Sequence, residues 1–452
     1  MLANVFEAFA QESPVTVMMR SLMEGVFRPE RLDAIFAKHS KIQYQRELLF
    51  SSLVNLLSLV VCGIHPSVNA AYKSKAEEIN VNRAALYQKL NGVETSVSAA
   101  LLRETSSELS QLIQALGGDV RPVLLPGYTV RILDGNALAA TEHRLKVLRN
   151  VAAAPLPGKS LVVLDPDIRL AVDIFPCEDG HAQERRLFNL VLETVRAKQL
   201  WIADRNMCTL GFLLGLAMRG ASFVIREHQN LPWTAVSELK PVGLVESGEL
   251  FEQLIRIEQE GNDLIVRRIV LRLSKSTRHD EKEIVFLTNL PIEVAGAELV
   301  SQLYRERWQI ETLFLTVTMN FEGEINTLAY PKAALFSFCL ALVTYNILAT
   351  IRATLSSVHG VEKMNAELSD FYMMDEVQGT YRGMMIAIPA EHWQVFGGMS
   401  ITEQVNHLKE LSAKVNLKRL LKQPRKKKKP QPKRIKDPKQ PHVSTAKLLS
   451  QN

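Results

Sequence analysis

The sequence has few cysteines, and they are not paired. Cys62, Cys177, Cys208 and Cys339 are the four in 452 residues, with no C-x-x-C among them. That scatter excludes a zinc-finger spacing and a disulfide framework, and it suits a reducing cytosol. The N-terminus lacks the basic region and apolar core of a signal peptide. No G-x-x-x-x-G-K-[ST] cradles a nucleotide phosphate, and no G-x-S-x-G surrounds a nucleophile. No internal repeat is found. Uncharged runs are limited to two. Residues 48–72 are interrupted by Gly63, His65 and Pro66; residues 333–351 carry Ser337, Thr344, Tyr345, Asn346 and Thr350. The second has the length of a membrane span, but polar residues at that density favour buried core helices, and no membrane partner is expected.

Acidic residues are nearly missing from one end. Between Lys414 and Lys447 stand 14 Lys and Arg and one acid, Asp437, so this segment carries +13 while the remainder carries −7. Within it, Pro424-Arg425-Lys426-Lys427-Lys428-Lys429-Pro430 combines like charges with proline, which excludes a packed structure. A polycation of this kind binds nucleic acid phosphates without sequence preference. The body is ordinary for a soluble globular protein, 47% hydrophobic and 23% charged, and long enough for two or three domains.

The periodicity predicts helices over residues 1–120, with a helix-turn-helix cadence at 76–90. There Asn80 or Asn82 caps the second helix, and Arg83, Tyr87, Gln88 and Lys89 are exposed; an ordinary helical hairpin fits the pattern slightly better. After Gly117-Gly118 the character changes. Residues 130–134 read as a strand ending in Asp134 and a turn, and a helix-like stretch carrying Arg144, Lys146 and Arg149 follows. Strands come next at 161–165 and 169–175, hairpinned through Pro166-Asp167. A helix at 184–195, a strand at 200–204 ending in Asp204, a buried helix at 209–218 and a strand at 222–226 complete this part. This order gives a mixed sheet covered by helices, whose sites lie at the carboxyl ends of strands. Residues 229–294 are β-rich, with Gly261-Asn262-Asp263 as a hairpin turn. One long helix is expected from about 295 to 321, an apolar helix at 332–355, and smaller helices to 417.

The long helix places Tyr304, Arg307 and Glu311 on one stripe, within about 60° of each other at 100° per residue. Asp134, Asp204 and Glu311 then form a constellation of two strand-end acids and one helix acid. Phosphodiester chemistry uses such a set, because carboxylates far apart in sequence can share two Mg²⁺ ions that clamp the attacking and leaving oxygens. Asp165 and Asp167 are rival acids, but both flank a proline in a tight turn and read as hairpin residues.

On these residues the chain resembles a DDE transposase of bacterial insertion sequences, of the insertion-sequence-four type. Leu133-Asp134-Gly135-Asn136 resembles the first-acid motif and Ala203-Asp204-Arg205-Asn206 the second, while Tyr304, Arg307 and Glu311 match the Y-x-x-R-x-x-x-E signature. The likeness covers about residues 120–355. It implies an α/β, ribonuclease-H-like mixed-sheet core with a β-rich insertion, flanked by an N-terminal helical domain and C-terminal helices. The corresponding parts are 1–120 (DNA-end binding), 121–228 and 295–360 (core), 229–294 (insertion), 361–417 (C-terminal helices) and 418–452 (basic tail). It implies that Asp134, Asp204 and Glu311 are catalytic and hold two Mg²⁺ ions, or Mn²⁺ in their place. DNA contacts would come from Tyr304, Arg307, Arg205, Arg226, Trp233 (as the aromatic that holds a flipped base) and the tail lysines Lys426, Lys427, Lys428 and Lys429. The implied partners are transposon-end and target double-stranded DNA, with a homodimer on paired ends in the bacterial cytoplasm. The signature continues to a Lys seven residues after the Glu, where this chain has Thr318. That departure keeps open a catalytically inactive or domesticated DNA-binding protein, and a related Mg²⁺-dependent nuclease is the third reading.

Overall fold

The computed structural model describes residues 2–42, 47–76, 79–117, 123–150, 153–277 and 280–423. Seven helices come first: α1 (Leu2–Glu12), α2 (Pro14–Val26), α3 (Pro29–His39), α4 (Phe50–Val61), α5 (Val68–Ser74), α6 (Arg83–Gly92) and α7 (Thr95–Ala115). Asn82 caps α6, its side chain accepting a hydrogen bond from the Ala85 N–H at 2.9 Å. Leu86 and Leu90 of α6 are buried, Arg83 and Gln88 are exposed, and the Lys89 ammonium lies 4.1 Å from the centre of the Phe36 ring.

The sheet begins with β1 (Thr129–Ala137), β2 (Lys159–Asp165), β3 (Leu170–Cys177), β4 (Gln199–Ala203) and β5 (Ser222–Arg226), in the spatial order β3-β2-β1-β4-β5. The first three pair antiparallel, and β1, β4 and β5 run parallel. This is the ribonuclease-H-like arrangement expected. Helices α8 (Phe188–Thr194) and α9 (Leu210–Met218) join the parallel strands. Between 137 and 159, the described residues hold only a short 3-10 turn, Lys146–Leu148, where the reading above expected a helix-like stretch.

The β-rich stretch contributes β6 (Thr234–Ala235), β7 (Lys240–Val245), β8 (Gly248–Gln259), β9 (Asn262–Leu273) and β10 (Glu283–Thr288). It is continuous with the core: β10 pairs with β5, Phe286 facing Arg226, and β9, β8 and β6 extend one ten-stranded sheet. The turn between β8 and β9 falls one step earlier than expected. The ladder runs to Gln259 opposite Asn262, so Glu260 (φ 53°) and Gly261 (φ 79°) make the two-residue loop. Positive φ at both central residues is what a type I′ hairpin requires.

Alternation along the strands divides the core in two. Ile132, Val162, Ile202 and Val224 face one side, with the N-terminal helices and α12 (Pro331–His359, below); Leu133, Val163, Ala203, Phe223 and Ile225 face α8 and α9. The helices that follow the sheet are α10 (Ala297–Arg305), α11 (Trp308–Asn320), α12, α13 (Val361–Glu367), α14 (Asp370–Ala387), α15 (Gln394–Gly397), α16 (Ile401–Lys414) and α17 (Leu417–Leu420). Helix α12 is long and apolar enough to cross a membrane, yet 94% of its apolar window is buried inside the protein. Its polar side chains explain that placement. Asn346 donates to Ala171 O and accepts from Ala171 N, both at 2.8 Å, which satisfies the outer edge of β3. Arg352 pairs with Asp370 and donates to Leu368 O.

The single helix expected over 295–321 is two helices. Between α10 and α11 the backbone tightens: Glu306 N bonds Leu303 O, Arg307 N bonds Tyr304 O, and Ile310 N bonds Arg307 O, all three residues back rather than four. A 3-10 segment inside a helix marks strain or function. Here Tyr304 is drawn to the sheet, its ring 4.8 Å from that of Phe286, while Arg307 is drawn to β1.

Candidate active site at the strand ends

The parallel pairing of β1 with β4 ends at Leu133 opposite Ala203. The next residue on each strand is an acid, Asp134 on β1 and Asp204 after β4, so the register sets two carboxylates side by side. Each lies two residues beyond an isoleucine (Ile132, Ile202) that faces the α12 side. The period-2 rule therefore directs both acids to that side of the sheet, where α11 packs through Ile310, Leu313 and Val317. One detail differs from expectation: β1 does not stop at Asp134 but continues to Ala137, because β2 still pairs with it, Asp134 facing Val162.

Arg307, in the tight turn before α11, joins the third acid to the first. Its Nη1 donates to Asp134 Oδ2 at 2.8 Å and its Nη2 to Glu311 Oε1 at 2.6 Å. A planar guanidinium is suited to such a fork. Burial pushes the Asp134 carboxyl up to about 6; Arg307 and the Gly135 N–H (2.8 Å to Oδ1) oppose the shift, and the charges of Asp204 and Glu311 add to it. Asp134 is thus near enough to both other carboxylates to feel their charge. Burial also pushes the Tyr304 phenol up to about 12, so it stays a neutral donor. Two buried donors beside the acids have no partner among the described residues, Arg307 Nε and Asn136 Nδ2. Asn136 shares the Asp134 face of β1 by the same alternation. Both donors are left to bond a further acceptor.

The donor set suits a hard divalent cation in type, since carboxylate oxygens are what magnesium takes. Among the described residues no three His, Cys, Asp or Glu side chains converge on a metal-sized position. The guanidinium of Arg307 stands between Asp134 and Glu311 and supplies the positive charge there. A metal held by Asp134, Asp204 and Glu311 would take over that charge and release Arg307.

The other expected contacts fall as follows. Arg226 and Arg205 both point to Glu281, at 2.5 Å and 3.5 Å, so an acid near the β9–β10 turn already occupies them. Trp233 is 38% exposed in the insertion, with the Arg268 guanidinium 5.1 Å above its ring. Lys426, Lys427, Lys428 and Lys429 lie outside the described residues. Thr318 is exposed and turns its hydroxyl back to Phe314 O. Asp165 closes the β2–β3 hairpin, its Oδ1 accepting from the Asp167 and Ile168 N–H groups, and also pairs with Arg131 at 2.6 Å; Asp167 accepts from the Leu124 N–H. Asn136 and Glu281 were missed as site residues. The position of Asn136, two residues past an assigned acid on a strand, was the available signal. Nothing in the sequence marks Glu281.

Fold and site together define a ribonuclease-H-like protein with acids on β1, after β4 and on α11. Residues 159–347 match the family model described as the transposase DDE domain, a stretch that includes Asp204 and Glu311 and begins after Asp134. Over those residues the chain is similar to a transposase DDE domain. A cryo-EM structure of a piggyBac transposase synaptic complex with hairpin DNA is similar over 84% of this chain and 83% of that one, at 12% identity and a TM-score of 0.41. No curated protein matches the chain.

Proposed function

We propose that this protein is a transposase of the bacterial insertion-sequence-four type. It binds terminal inverted repeats as a homodimer, cuts the strands and transfers them to target DNA in the cytoplasm. The observation that carries the reading is Arg307 bonded to both Asp134 and Glu311, at a strand end that the β1–β4 register sets beside Asp204. Two bound Mg²⁺ ions, or Mn²⁺, would activate the attacking oxygen and stabilise the leaving one. Asp134, Asp204 and Glu311 would hold them. Arg307, once released from the carboxylates, is placed to grip the phosphate beside the scissile bond in a bidentate manner. Asn136 Nδ2 is a second buried donor for the same phosphate. Tyr304 positions the terminal nucleotide from the end of α10. The N-terminal helices recognise the ends, and the polycationic tail adds affinity without sequence preference.

The test is cleavage of the element's own end sequences in Mg²⁺. Asp134→Asn, Asp204→Asn and Glu311→Gln should each lower cleavage by at least about a hundredfold. Full activity in all three variants would refute the assignment. The departure at Thr318 favours one competing reading, a DNA-binding protein that does not cut. Specific binding of the ends with no cleavage by the natural sequence would establish that reading instead. Cleavage without strand transfer would indicate a nuclease.

A further inference from the structure

Helices α2, α4 and α14, with the segments on either side of α5, border a cavity of about 540 Å³ that shares no residue with the strand-end site. Two of these helices present the same order of side chains. Along α2 and its end, Arg20, Met23, Glu24 and Phe27 recur at helical spacing on one stripe. On α14, Tyr381 and Arg382 are followed one turn on by Met385 and Ile386. Each helix therefore supplies a polar level and then an apolar one. Leu56 and Leu59 of α4 extend the apolar part of the lining. Concave sites with an apolar body and a few convergent polar groups are how small organic ligands are held.

The polar levels meet on one wall. Arg20 Nη1 donates to the Tyr381 hydroxyl at 3.0 Å, and Arg20 also pairs with Glu24. Its Nε is buried without a partner among the described residues. Arg382 Nη2 donates to His65 Nδ1 at 3.1 Å. That bond places the ring proton on Nε2, which donates to Ser74 Oγ at 3.1 Å, and Ser74 donates onward to Ala71 O at 2.8 Å. Burial, then the charges of Arg382 and Lys75, hold the His65 imidazole below its ordinary value, so the ring stays neutral. Arg382 thus leans on a neutral ring, with no carboxylate at ion-pair distance among the described residues. Arg20, Lys75 and Arg382 line the cavity against one carboxylate, Glu24. Cations gathered beside apolar surface are unfavourable unless an anion joins them.

We propose that this cavity binds a small organic carboxylate, its charged end on Arg382 and Arg20 Nε and its apolar body on Met23, Phe27, Leu56 and Met385. The site is separate from the strand-end acids and does not depend on their chemistry. Lys75 and Ile79, also in the lining, lie between α5 and α6, so an occupied cavity ties the approach to α6 to α2 and α14.

The experiment is calorimetric titration of 1-naphthylacetate into the full-length, DNA-free protein, with 1-naphthylacetamide as the uncharged probe of the same shape. The acetate should bind saturably and about tenfold more tightly than the amide, as a charge-assisted hydrogen bond supplies. Arg382→Gln, at an exposed position, should remove that preference and leave the amide affinity unchanged. Ser52→Trp, which adds bulk to the lining from α4, should abolish binding of both probes. Equal affinity for acetate and amide, no saturable binding of the acetate, or an unaltered preference in Arg382→Gln would each overturn the inference. Competitive displacement of the acetate by duplex DNA of random sequence would assign the wall to phosphates and overturn it as well. Should Ser52→Trp fail to fold, Arg382→Gln decides alone.

Discussion

Replacing Arg307 with methionine removes a cation shared by two carboxylates, and the structure limits how much this can cost. The guanidinium is 12% exposed, Asp134 20% and Glu311 37%. Glu311 is open enough for solvent to screen its share, to about 0.5–1 kcal/mol. Asp134 has the larger share, but the loss is capped by protonation. Its carboxyl already stands at about 6 rather than 3.8, which costs about 3 kcal/mol at neutral pH relative to the unfolded chain. Without Arg307 it rises further and takes up a proton, and full neutralisation at pH 7 costs about 4.4 kcal/mol in all. The increment from Asp134 at pH 7 is therefore at most about 1.4 kcal/mol, and the whole effect about 2 kcal/mol.

The sign follows from the raised pKa. Stability contributed by this group is present at low pH and lost as pH rises through the folded value. Raising that value extends the loss upward, so the deficit of Arg307→Met grows from about 1 kcal/mol at pH 6 toward about 3 kcal/mol at pH 8. Urea denaturation of both proteins in EDTA at pH 6, 7 and 8 measures it. A deficit independent of pH, or none at all, would refute the shared-cation account.

Glu376 on α14 gives a second pH-dependent outcome. It accepts the Val15 and Thr16 N–H groups at the start of α2, and burial raises it from 4.5 to about 7. The penalty is absent below about 4.5 and develops as pH rises through 7, up to about 3 kcal/mol. Glu376→Gln should therefore gain thermal stability relative to the natural protein between pH 5 and pH 8; an equal difference at both would contradict this. Asn346→Leu strands both backbone groups of Ala171 and should cost about 2–4 kcal/mol in denaturant unfolding; a loss under 1 kcal/mol would show that the edge is satisfied otherwise. Glu281→Gln frees Arg205 and Arg226. DNA affinity should rise several-fold, with a salt dependence steeper by about one to two units of slope; an unchanged slope would place both arginines outside the DNA path.

Much of the site could be read from the chain because its chemistry is local. An unbroken apolar run that reaches an acid announces a buried strand and its end, as at Leu200–Ala203 before Asp204. The residues of β5 coincide with the expected strand because an apolar run, Phe223–Ile225, follows a turn and ends at a charged residue. Asp134 was identified for the same reason, although the end of its strand was not, since pairing with β2 is a property of the partner. The apolar run at 333–351 has the length of a membrane span, and only packing identifies it as the centre of the core. Its polar residues acquire partners, Asn346 on β3 and Arg352 on Asp370, that lie distant in sequence.

The sequence by itself determined which residues are candidates for the proposed chemistry: three carboxylates, a forked cation and a phenol. Tertiary structure decided how they meet. The β1–β4 register sets Asp134 beside Asp204. The pull of Arg307 toward Asp134 accompanies a tightened turn in what the sequence reads as one helix. Pairing of β10 with β5 makes the insertion part of the core sheet. Each of these depends on distances between segments far apart in the chain, which periodicity along a single segment does not encode.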